Sequence, residues 1–134
     1  MDRNRLLGAL ALMVMAASSA VAAQPQPMAA GRWALLDTTT VPPAAEVAKI
    51  CQKPPYSITV TDKTWVEQED GGKPMPCTMP RWKKVKANTF EAPANKCQGA
   101  EEAMGDGDGS LGLVIQGHGV VEFNNSLYVL CPAQ

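Results

Sequence analysis

The chain has 134 residues, 46% of them apolar and 19% charged, and its formal net charge is -1. That length excludes two ordinary domains, and that apolar content excludes disorder throughout. The charge lacks the positive balance that nucleic-acid binding uses, so nucleic acid is not an expected partner.

The N-terminus reads as a secretion signal. Arg3 and Arg5 form a short positive region, Leu6 to Ala17 is an apolar run, and small residues follow to Val21-Ala22-Ala23. That run is short for a bilayer span, which needs about 20 residues. Cleavage is expected after Ala23, with the bond after Ala22 as the near alternative, and no stable membrane span is expected afterwards. Removing positions 1–23 leaves ten basic and twelve acidic side chains. The compact signal points to bacterial export and a periplasmic or secreted address. Residues 24–30, QPQPMAA, read as a flexible leader, and 31–134 as a single β-rich domain.

The elements of that domain follow in order. Gly31 to Leu36 reads as a first strand, and Thr38 to Thr40 as a turn with helix N-cap candidates. Pro42 and Pro43 suit a first helical turn. Ala44 to Cys51 then places Ala44, Val47, Ile50 and Cys51 on one helical face, and Pro54-Pro55 stops it. Period two follows in Tyr56 to Val60 and in Thr64 to Glu69, with Asp70-Gly71-Gly72-Lys73 as a strong turn. Residues 74–80 hold three prolines and read as an edge, a bulge or a loop. Arg81 to Lys86 and Thr89 to Ala92 read as hairpin arms. Gly99 to Ser110 reads as a loop with one helical turn at Ala100 to Met104. Leu111 to Gln116 and Val120 to Phe123 flank a Gly117-His118-Gly119 turn; Asn124-Asn125 turns again before Leu127 to Cys131. The fold class expected is mostly β: a small antiparallel up-and-down barrel or sandwich of six to eight strands with one short helix.

Cys51, Cys77, Cys97 and Cys131 all lie in the exported part, and no two have Cys-x-x-Cys spacing. An even count in a small exported domain reads as disulfides rather than as a metal site. Four cysteines allow three pairings. Cys77 and Cys97 are equidistant from position 87, near the polar centre of the proposed hairpin. That symmetry favours Cys77–Cys97 and leaves Cys51–Cys131.

Few residues carry candidate chemistry. His118 is the sole histidine, lies between two glycines at a turn, and reads as a solvent-facing residue rather than a catalytic one. Asp106, Asp108 and Ser110 resemble the start of a calcium loop. Leu111 and Gly117 stand where its Gly and Glu belong, so a solvated loop with Glu101 and Glu102 is expected. Arg81, Lys83, Lys84 and Lys86 surround Trp82 in one basic patch, split across the two faces of a strand. Trp33, Trp65 and Trp82 are core candidates first and ligand platforms second. The candidate ligand or partner residues are Trp33, Trp65, Trp82, Arg81 and Lys83; no catalytic set, metal site or cofactor is expected.

Gly31-x-Trp33-x-Leu35, just after a secretion signal, resembles the opening strand of small lipocalin-like barrels of exported bacterial proteins. The resemblance implies a tryptophan lying across the closed end of a barrel. Among these families are periplasmic inhibitors of secreted metalloproteases, whose N-terminal arm enters the protease cleft; the matching arm here is Gln24 to Ala30. Three functional expectations result: a non-catalytic binding or interaction protein of the cell envelope, an inhibitor of a secreted protease or other hydrolase, and a small-molecule-binding barrel. The expected partner is an envelope protein or a small ligand.

Overall fold

The structure, a computed structural model, describes residues 26–99 and 109–133. The signal segment and the residues Glu101, Glu102, Asp106 and Asp108, with the helical turn expected at Ala100 to Met104, lie outside the described residues.

Among the described residues nine strands form one antiparallel sheet: β1 (Gly31–Leu36), β2 (Tyr56–Val60), β3 (Trp65–Glu69), β4 (Met75–Cys77), β5 (Lys83–Lys86), β6 (Thr89–Pro93), β7 (Ser110–Gly117), β8 (Val120–Phe123) and β9 (Ser126–Leu130). One helix, α1 (Ala44–Gln52), lies between β1 and β2. The sheet order is β4-β3-β2-β1-β9-β8-β7-β6-β5, two runs of hairpins joined where β1 pairs with β9. The sheet curls into a half-barrel. Its edges, β4 and β5, belong to one stretch of chain. Beyond β6 the chain runs back along β4: Cys77 faces Cys97, Thr78 N donates to Lys96 O, and Gln98 N donates to Pro76 O. The strand count is nine rather than six to eight, because Met75–Cys77 inside the proline-rich piece pairs with β3. Pro76 sits there opposite Val66, at the edge where a missing N–H is tolerated.

The local sequence explains the turns. Asn124 and Asn125 both take positive φ, 47° and 65°, in the two-residue loop between Phe123 and Ser126. His118 and Gly119 do the same, at 53° and 71°, between Gly117 and Val120. Both loops have the type I′ geometry that matches strand twist. Gly31 is required for a different reason: its φ is 141° and an added Cβ would stand 2.8 Å from Leu130 Cδ1. Only a residue without a Cβ fits both conditions.

Period-two alternation divides the apolar residues between two cores. The inner one holds Trp33, Ile58, Val60, Trp65, Trp82, Leu113 and Val121 inside the curl. The outer one lies between α1 and the sheet: Cys51, Val47 and Ile50 cover Ala34, Leu36, Val120 and Val129. Ala44, expected on that helical face, is exposed. The threonines do not cap α1 either. Pro43 occupies the N-cap, its carbonyl accepting from Glu46 N and Val47 N, while Thr38 Oγ1 donates to Thr40 O. Cys51–Cys131 fastens α1 to the end of β9, and the Arg32 guanidinium donates to the Cys51 carbonyl. The second disulfide joins Cys77 and Cys97, so both pairings match the hairpin argument.

The described part of the leader is seated rather than free. Met28 is 2% exposed within the inner core, Trp33 Nε1 donates to Ala29 O, and Gln26 Nε2 lies 2.9 Å from Met79 Sδ. A single methionine among polar and proline residues anchors this segment by filling one end of the curl.

Candidate functional site

Inward-facing residues fill the end of the half-barrel near Met28, and they thin out toward the other end. There the strands surround an open cavity of about 640 Å³. Most of the wall comes from strand ends. Leu35 is the last residue but one of β1, Tyr56 opens β2 after Pro55, Glu69 ends β3, Leu111 is second in β7 and Phe123 ends β8, while Glu67 and Tyr128 stand at the middle of β3 and β9. Aromatic rings run from the core to this wall: Trp82 and Trp65 have centroids 6.3 Å apart, Trp65 and Phe123 5.7 Å, and Phe123 and Tyr128 5.9 Å.

The floor of the cavity carries an unusual group. Trp65, Glu67 and Glu69 share one face of β3 by alternation, so the face that buries Trp65 also buries a carboxylate. Glu67 is 3% exposed. Its Oε2 lies 3.3 Å from Cys77 Sγ and 3.2 Å from Cys97 Sγ. Those sulfurs are bonded to each other and have no proton to give, so these are contacts and not hydrogen bonds. The Tyr56 hydroxyl and the Trp65 indole N–H are near enough to favour the charged carboxylate, yet both are buried without a hydrogen-bond partner. Asn95, also buried on the wall, donates from Nδ2 to Thr78 O.

Burial raises the pKa of Glu67, because desolvation disfavours its charged form; Trp65 and Tyr56 act in the opposite sense. The two cavity tyrosines are also raised. For Tyr56 burial acts first, then the Glu67 carboxylate; Tyr128 follows the same order. Both phenols therefore remain protonated and able to donate throughout the physiological range. Glu67, Cys77 and Cys97 are the one grouping of metal-type ligands among the described residues. The two cysteines are disulfide-bonded. A disulfide sulfur is not a thiolate, so the grouping lacks the soft anionic donors that bind a metal.

Comparison with protein families, with curated proteins and with solved structures gave no significant match. The site therefore stands on its own geometry.

The structure places the residues singled out from sequence away from this cavity. Trp33 lies at the filled end, and Trp65 and Trp82 are core; none of the three lines the cavity. Arg81 and Lys83 are exposed, and β5 is exposed at all four positions, KKVK. Lysines on an edge strand discourage pairing with other chains. His118 is exposed at its hairpin tip. Sequence reasoning missed Glu67, Tyr56, Tyr128 and Asn95. One signal was available: period two puts Glu67 on the same face as Trp65, a charged residue on the apolar side of a strand.

Proposed function

We propose that the protein is a small exported binding protein of the bacterial cell envelope, non-catalytic, that takes a small molecule into the cavity at the open end of its half-barrel. The observation that carries this reading is the cavity itself, about 640 Å³ in volume. Ordinary ligand sites run from about 300 to about 1000 Å³. The walls are mixed, with Leu35, Leu111 and Phe123 beside a few converging polar groups, as such sites require. Two disulfides fit an oxidising compartment. Among the described residues no helix is long and apolar enough to cross a membrane. The inhibitor alternative relies on a free N-terminal arm, and the burial of Met28 counts against it.

The test is titration with N-phenyl-1-naphthylamine, a neutral apolar probe that fluoresces on leaving water. The wild type is expected to give a saturable rise with one site. Leu35→Trp, which fills the wall, is expected to weaken binding at least about tenfold, the equivalent of ~1.4 kcal/mol. No saturable rise with the folded wild type overturns the proposal.

A further inference from the structure

The cavity's chemistry is one-sided. Among the described residues that line it are three carboxylates, Glu67, Glu69 and Asp70, and no Lys, Arg or His. Asp70 has an outside partner, Lys53 Nζ at 3.8 Å, on the exposed surface. Glu69 is exposed at the mouth. Glu67 is different: it is buried, it lines the cavity, and its two nearest donors, Tyr56 and Trp65, stop short of a hydrogen bond. A buried carboxylate with no basic partner is costly even beside such donors, and proteins ordinarily neutralise or pair such a group. The unpartnered Tyr56 hydroxyl stands beside it and lines the same space.

These groups define what a bound molecule must bring. Glu67 calls for a cationic donor, and Tyr56 Oη can accept or donate a hydrogen bond next to it. Tyr128 and Phe123 offer aromatic surface to the rest of the molecule, and an ammonium near such rings gains from the ring quadrupole. An anion would meet three carboxylates and no cation on the described walls.

Resting on the small-molecule reading above, we propose that the ligand is a small organic cation, a primary ammonium carried on an apolar or aromatic body. Its ammonium pairs with the Glu67 carboxylate on the cavity floor, and its body lies against Tyr128, Phe123 and Leu35. The buried carboxylate, with no cationic side chain on the described walls, takes the ligand as its counter-ion.

The test uses three molecules that share one ring system and differ in charge: tryptamine (ammonium), tryptophol (neutral) and indole-3-propionate (anion). Each is titrated calorimetrically into the wild type and into Glu67→Gln, which keeps shape and removes charge. Circular dichroism confirms that both proteins are folded. Tryptamine is expected to bind at least about tenfold tighter than tryptophol to the wild type, the gain of a charge-assisted hydrogen bond. That advantage is expected to vanish in Glu67→Gln, while tryptophol binds both proteins alike. Tryptophol or indole-3-propionate binding as tightly as tryptamine, with no dependence on Glu67, overturns the cationic class and leaves the cavity reading standing. No binding of any of the three, together with no response to N-phenyl-1-naphthylamine, overturns both.

Discussion

Removing the Cys51–Cys131 bond with the double substitution Cys51→Ala and Cys131→Ala tests what holds α1 to the sheet. The bond closes a chain separation of 80 residues. A loop of that length is worth about 4.5 kcal/mol in the chain-entropy model. Against a domain stability of about 5–15 kcal/mol this is a large share. The helix supplies little to replace it. It spans only Ala44–Gln52 and has no side-chain cap. Helices so short, under about four turns, are marginal on their own. Val47 and Ile50 are only half-buried, so the outer core loses its cover once the helix lifts. With a urea slope of about 1.5 kcal/mol/M, the unfolding midpoint of the double variant should fall by roughly 3 M. Tryptophan fluorescence follows the transition, since Trp33, Trp65 and Trp82 all report on the inner core. A midpoint shift below about 0.5 M would refute the reasoning. It would mean that Arg32, donating to the Cys51 carbonyl, and the packing of α1 suffice without the bond.

Two further substitutions probe the interior. The folded pKa of Glu67 is raised by burial. Its contribution therefore favours folding below the unfolded glutamate value of about 4.3 and is lost as pH rises through the folded value. Glu67→Gln should be more stable than the wild type at pH 8, with the difference shrinking toward pH 4; urea midpoints measured across that range check it, and a constant difference would count against the account. Met28→Ala should cost about 2–5 kcal/mol, the range for truncating a buried methionine. A thermal melt unchanged by that substitution would mean that the segment before β1 contributes nothing to the core.

Much of the architecture could be read from short patterns. Alternation in Tyr56 to Val60 and the turn residues at Asn124-Asn125 mark strands and hairpins because their physics is local. The Cys77–Cys97 pairing was legible for a subtler reason. The tight turn pairs Lys86 with Thr89, which by itself would set Cys77 opposite position 98. An irregularity between Lys84 and Lys86 shifts the register by one residue, so that Lys83 faces Glu91 and Cys77 faces Cys97. Without that shift the side chains would fall on opposite faces. Met28 was not legible, since one apolar residue between prolines and alanines carries no periodicity. The cavity was harder still. Its walls come from strands far apart in the chain, and only the curl of the sheet brings Tyr56, Glu67 and Tyr128 to one space. The tryptophans drew attention as large aromatics, yet their size is what places them in the core.

The pairing of β1 with β9 has a consequence for how the chain comes into being. Gly31–Leu36 is made before every other described strand, but its neighbour on one side, Ser126–Leu130, is made after all of them. Until then β1 can pair only with β2, and neither the inner nor the outer core has all its walls. Cys51 waits equally long for Cys131. Contacts so distant in sequence form late. The nascent chain thus stays open until β9 is made, with Trp33 uncovered on one flank until that strand closes the sheet.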